Sequence, residues 1–221
     1  MSTTPADLVA LAVPPEATVP NRRERNRGRT RDALVDAAMH LFATQGYGRT
    51  TVEEITELAD VSPRTFFRYF SAKEEVLFQR EDTHIPVELI ASQPPRLSDL
   101  DAVRAALVEI APLIHPMRER LRLLRRALAS APTLRGRDFD QRKLGEEHIA
   151  LGLARRRSLK VPDRRAILAG AVAFATFRMA MDQWLDAGDH RSLAPLVAAE
   201  FDRLQVIGAA ASADGRGGRA S

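Results

Sequence analysis

The sequence predicts an all-α fold, and three observations carry that prediction. Apolar residues recur three and four positions apart along most of the chain, the period of a helix with one buried face. Ser or Thr precedes a glutamate by three positions at Thr51–Glu54 and Ser71–Glu74, the pattern of a capped helix start. No segment alternates apolar and polar residues over the length of a strand, and no internal repeat is evident. Short capped helices near the N-terminus imply a three-helix helix-turn-helix domain. The longer helical periods behind them imply a larger C-terminal helical domain.

Composition narrows the class. At 221 residues with 45% hydrophobic content, the chain can bury a full core. No apolar run approaches the ~20 residues of a membrane span. The longest, 167–177, is interrupted by Gly170 and Thr176 and ends at Arg178. The N-terminus lacks the charged start and apolar block of a secretory leader, so no membrane association and a cytoplasmic location are expected. Without cysteine there are no disulfides, thiol nucleophiles or thiolate metal sites. Five scattered histidines give no metal-ligand spacing, and no cofactor is implied. The net charge is only +4, yet the pI is about 10.1, because the base is three lysines against thirty arginines. The planar arginine fork suits phosphate and guanine. A GC-rich genome would produce the same bias, so composition alone does not decide the partner.

The elements follow in order. Residues 1–28 read as a disordered basic arm: four prolines without periodicity, then NRRERNRGRTR over 21–31, a run suited to the backbone or minor groove of DNA, with Arg29 as its candidate contact. The head domain is expected over 29–76. Its first helix covers 30–45, with Ala33, Leu34, Ala37, Ala38, Leu41 and Phe42 as one stripe, and Gly46 and Gly48 end it. Thr51 caps a second helix whose inner face is Val52, Ile55, Leu58 and Ala59. Ser62 caps a third, with Pro63 at its favoured first position. Ser71 and Glu74 open a fourth from about 72 toward 84, and Pro86 ends it. Further helices are expected over 98–114, 116–130, 133–157, 162–187 and 193–207, within a second domain spanning 77–208. The Gly-, Ala- and Ser-rich tail, 209–221, reads as disordered.

The third helix has two poles. At 100° per residue, Phe66 and Phe70 share one face and belong in the core. The opposite pole carries Arg64 and Arg68, flanked by Thr65 and Phe67, with Tyr69 nearer the edge. No acidic residue lies between Val61 and Ala72. A major groove admits such a helix. Arginine forks onto guanine, and threonine or an aromatic meets a thymine methyl or a phosphate. Lys73, at the next helix start, is placed for a phosphate.

These residues resemble a known family. LFATQGYGRTTVEEI, the TELADVS turn and TFFRYFSAKEEVL, together covering most of 30–77, resemble the N-terminal domain of TetR/AcrR-family transcriptional regulators. The resemblance implies an all-helical homodimer on a palindromic double-stranded DNA operator, usually a repressor, released when a small molecule fills a pocket in the C-terminal domain. By position, Thr50 or Thr51 would meet phosphate at the start of the second helix, Arg64 and Thr65 would face bases, Tyr69 would touch backbone and Lys73 would clamp a phosphate. Phe67 stands where the family usually has tyrosine, so a phosphate hydrogen bond is lost there. PTLRGRDF and the later LARRR resemble an actinobacterial subset typified by mycofactocin-system regulators.

The C-terminal domain carries less specific signals. Ala169, Gly170, Ala171, Ala173 and Ala175 form a run of small residues which, with Leu193, Leu196, Val197, Phe201 and Leu204, resembles the family's dimer-forming bundle. Met117, Leu121, Leu124, Phe139, His148, Phe174, Phe177, Arg178, Met181 and Trp184 are candidates to line an effector pocket for an apolar or acidic ligand. A plain core is the simpler reading of each apolar one, and an ion pair with Asp182 is the simplest reading of Arg178. Two other classes stay open: a DNA-binding protein without an effector, architectural or constitutive, and an all-helical enzyme. No G-x-S-x-G, phosphate loop, HExxH or cysteine nucleophile argues for the latter.

Overall fold

Gly46 turns the chain out of its first helix with φ of 88°, a backbone region that side chains with a Cβ rarely enter. A computed structural model describes residues 22–78, 85–129, 131, 135–188 and 191–217. Among them every regular element is a helix: α1 Arg22–Thr44, α2 Val52–Leu58, α3 Pro63–Tyr69, α4 Glu75–Phe78, α5 Val87–Ala91, α6 Asp99–Ile114, a 3-10 turn His115–Met117, α7 Arg118–Ala129, α8 Arg135–Arg156, α9 Arg164–Asp186 and α10 Leu193–Gly217. No helix of the described residues is long and apolar enough to cross a membrane. The chain divides into two units, one of residues 1–84 with 117–143, the other of 85–116 with 144–221.

The first unit is built on α1. Leu34, Val35, Ala38 and Phe42 from α1, Ile55 from α2, Phe66 and Phe70 around α3, and Val76 from α4 are all at most 2% exposed. Aromatic pairs stitch this core: Phe42 with Tyr47 at 5.2 Å between ring centroids, and Phe66 with Phe70 at 5.3 Å. α7 packs on α1 in the same unit and buries Leu121, Leu124 and Ala127. The sequence boundaries had put 117–143 with the second domain. Within that segment α7 packs on α1.

In the second unit α6, α9 and α10 pack on one another. Trp184, Phe201, Leu107, Ile149 and Leu153 are among its fully enclosed side chains. The proline-rich break before α6 is held by one buried arginine. Arg156 donates to the carbonyls of Gln93, Pro94 and Leu97 and lies 3.7 Å from the buried Asp99 carboxylate. Gly170 lets α9 approach α8 directly: a Cβ there would sit 2.7 Å from the Glu146 carbonyl. Gly170 and Ala173 are buried inside the unit, so these two of the small residues serve packing within the chain.

Three local expectations change. Residues 22–28, expected in the disordered arm, are the first turns of α1, since arginine and glutamate are good helix formers and the Thr30 hydroxyl bonds back to the Asn26 carbonyl at 3.0 Å. Residues 209–217, expected as disordered tail, continue α10, where alanine favours the helix. The expected Ser71–Glu74 capping box does not form: Ser71 donates to the carboxylate of Glu75, the first residue of α4, through its backbone (2.8 Å) and hydroxyl (2.6 Å), while Glu74 accepts from the Tyr47 hydroxyl at 3.0 Å. The rest of the expected arm (1–21), helix end (79–84) and tail (218–221) lies outside the described residues.

Candidate nucleic-acid interface

The reading helix is set by its caps. Thr51 and Glu54 form a reciprocal box: Thr51 N–H donates to Glu54 Oε2 at 2.8 Å and Glu54 N–H to Thr51 Oγ1 at 3.2 Å. That backbone hydrogen bond, helped by the Thr51 and Gln45 side chains, holds the Glu54 carboxyl below its ordinary range. α2 ends in a Schellman turn. Asp60 N–H reaches the Glu57 carbonyl (3.1 Å) and Val61 N–H the Thr56 carbonyl (2.9 Å), with Asp60 at φ 53°. Ser62 then caps α3, its hydroxyl accepting from Thr65 N–H at 3.2 Å, and Pro63 occupies the first helical position.

α3 has the expected poles. Phe66 is 0% exposed and Phe70 1%, while Arg64, Arg68 and Phe67 are exposed and Thr65 and Tyr69 half-buried. Ser62, Pro63 and Thr51 lie on the surface. The Arg68 guanidinium stands 5.1 Å from the Tyr69 ring centroid and Arg27 5.9 Å from it. Arg27 was missed in the sequence. Its signal was phase: it falls four before Arg31 and seven before Leu34, on the side of α1 that is buried further along. Arg29, the residue chosen there, is exposed nearly opposite, on the outer side of α1.

Two expected contacts face inward. Thr50 is 1% exposed, its hydroxyl donating to the Gly46 carbonyl at 3.0 Å and accepting from Gln45 at 3.3 Å. Of the threonine pair, only Thr51 presents its side chain outward. Lys73 Nζ donates to the Tyr47 and Thr50 carbonyls, both at 2.8 Å, and lies 4.3 Å from the Tyr47 ring centroid. The ammonium thus spends two of its three hydrogens clasping the loop that carries Thr51.

The effector candidates divide between the units. In the first, Leu121 and Leu124 are buried, Met117 is half-buried and Phe139 is 66% exposed. In the second, Phe177 is buried, and His148, Phe174, Arg178 and Met181 are half-buried. The Phe174 ring lies over Gly145, where a Cβ would fall 2.3 Å from it. Trp184 is 0% exposed, donates to the Arg191 carbonyl at 3.0 Å and faces the His115 ring, a core position. The expected Arg178–Asp182 ion pair does not form among the described residues, and Asp182 is engaged elsewhere.

Comparison with known proteins agrees with this geometry. Residues 34–79 match the family model "Bacterial regulatory proteins, tetR family", and residues 97–207, just over half of the chain, match the "MftR C-terminal domain". The HTH-type transcriptional regulator TcmR of Streptomyces glaucescens is 56% identical over 57 residues, 26% of this chain and 25% of that protein, so the match spans about a quarter of that relative. A candidate mycofactocin biosynthesis transcriptional regulator, MftR of Mycobacterium tuberculosis, is 28% identical over 191 residues, 86% of this chain and 94% of that protein. Among solved structures, a candidate TetR-family regulator from Mesorhizobium loti has the same fold, with TM-score 0.50 and 21% identity over 82% of this chain and 97% of that one. With a capped three-helix head whose third helix turns arginines outward, and a helical domain matched across most of its length, the chain belongs to the tetR family of bacterial regulatory proteins.

Proposed function

We propose that the protein is a homodimeric repressor that grips a palindromic operator through two copies of α3 and lets go when a small molecule binds its helical domain. One observation carries the reading: Arg64 and Arg68 stand exposed four residues apart on a capped surface helix with no acidic residue from Val61 to Ala72. That pole suits guanine edges and phosphates in a major groove. Arg64, Thr65, Phe67 and Arg68 are the groove-facing set. Thr51, Ser62, Pro63, Tyr69 and Arg27 lie around it toward the backbone, Arg29 stays on the outer side of α1, and Lys73 acts chiefly by holding the Thr51 loop. DNA binding makes the cytoplasm the place of action.

A palindrome needs two such helices related by a two-fold axis. Leu168 and Met179 on α9 and Val206 and Ile207 on α10 are exposed, at 58–68%, and Ala175 shares the Leu168–Met179 face. These apolar positions support self-association through the last two helices as a four-helix bundle. On the effector side, Phe174, Phe177 and Met181 remain the proposed apolar lining within the second unit, with His148 on α8 of the same unit. Trp184 belongs to the core of the second unit. Half-buried Arg178, without the Asp182 pair, supports a ligand carrying an acidic group.

Footprinting the full-length protein on DNA flanking its own gene, followed by a screen of small molecules for release, tests the reading. Protection of two symmetric half-sites and release by a ligand support it. Absence of any protected site, or protection indifferent to sequence with steep salt dependence, overturns it. Unchanged affinity of Arg178→Ala for the releasing acidic ligands removes Arg178 from the site.

A further inference from the structure

We propose that Phe67 is a specificity-determining residue that recognises the 5-methyl group of one thymine in each half-site. The proposal rests on the DNA-binding reading above and assigns one base contact within it. α3 has three outward sectors. The pole is Arg64 and Arg68. One flank is polar: the Thr65 hydroxyl lies 3.0 Å from that of Ser62, and Tyr69 sits beside the guanidinium groups of Arg68 and Arg27. The other flank is Pro63 and Phe67, both exposed, with no side-chain donor or acceptor between them.

Phe67 is 56% exposed, yet its ring is held. It meets Phe66 edge-to-face, with centroids 5.5 Å apart and planes at 82°, and Phe66 is 0% exposed and fixed in the core. An outward aromatic already oriented by a buried neighbour loses little freedom on binding. It has no hydrogen to give a phosphate. On the base edges of a major groove, the thymine methyl is the apolar group that such a ring can cover. A sugar contact would bury the ring as well, but would carry no sequence information.

Uracil in place of thymine removes that methyl and nothing else, and so isolates the contact. An operator is first selected by the full-length protein from a pool of random duplexes. Each thymine is then replaced singly by uracil, and binding is measured for wild type, Phe67→Ala and Phe67→Tyr. Expected is one thymine per half-site whose replacement weakens wild type and Phe67→Tyr about fourfold, the worth of one buried methyl, and leaves Phe67→Ala unaffected. Equal uracil losses in wild type and Phe67→Ala overturn the proposal. So does a Phe67→Ala loss of the same factor on operator and random duplex, which would put the ring on the sugar–phosphate backbone. If wild type selects no sequence at all, the DNA-reading claim fails and takes this one with it. A selected operator that is insensitive to uracil sinks the Phe67 contact alone.

Discussion

α3 and α9 start alike and diverge on their outer faces. Each has a side-chain cap accepting from the backbone three residues on, Ser62 from Thr65 at 3.2 Å and Asp163 from Ala166 at 2.8 Å. α3 is seven residues long, buries Phe66 under one pole and turns arginines outward at the other. α9 is twenty-three residues long, buries Ala166, Gly170, Ala173, Ala180 and Trp184, and still leaves Leu168 and Met179 in the open. On a short surface helix, polarity separates core from contact. On a long helix that is apolar on several sides, polarity cannot assign the faces, because burial within the chain, a ligand and a second copy all ask for the same residues.

Adjacent phenylalanines break the comparison most sharply. Phe66→Ala removes a fully enclosed ring and is expected to cost about 3–5 kcal/mol of head stability, while Phe67→Ala, on the exposed side, costs less than about 1 kcal/mol. Thermal unfolding followed by circular dichroism separates them, and similar losses would mean that the helix is rotated from its described orientation. Gly170→Ala should destabilise the second unit by about 1–3 kcal/mol, because the added methyl meets the Glu146 backbone carbonyl rather than a yielding side chain. Denaturant titration should show the loss with operator contacts in the head untouched.

Smaller changes sharpen the local account. Ser158 has φ of 59° at the end of α8, where Leu159 N–H bonds to the Ala154 carbonyl at 2.9 Å. Glycine there should raise stability by about 1 kcal/mol, since no Cβ then opposes the left-handed turn. The smallest expected effect is on acid. The Thr51 backbone lowers the Glu54 carboxyl, and the Arg157 guanidinium, followed by the Ala166 backbone, lowers that of Asp163. A carboxyl lowered by folding stabilises at and above the ordinary carboxylate range, and the stabilisation is lost as pH falls through the lowered value. Melting temperature should therefore fall below about pH 5, and Glu54→Gln should flatten part of that slope. An unchanged slope would show that the capping box contributes nothing to it.

The head was legible because its signals are local. Thr51, Ser62 and Pro63 state where helices begin, and Phe66 and Phe70 share a face whatever the rest of the chain does. What escaped depended on distance in space. Thr50 and Thr51 are neighbours with similar chemistry, and only packing against Gly46 and Gln45 turns the first inward. Lys73 looks like a free cation until the Tyr47 and Thr50 carbonyls come within 2.8 Å of it. Arg27 joins Tyr69 only because α1 begins at Arg22, inside a basic run that composition reads as unstructured. In the second unit, the run of small residues was visible, but its division between packing on α8 and an open face was not, because that depends on where α8 lies.

The central claim is that one pole of α3 folds the head and the other reads DNA. Its most direct test is Arg64→Ala, assayed against a selected operator and every single-base variant of it, alongside a thermal melt. The account predicts an unchanged melt, a loss of about 1–3 kcal/mol in binding, and discrimination lost at one base pair in each half-site. Full discrimination retained by Arg64→Ala would contradict it.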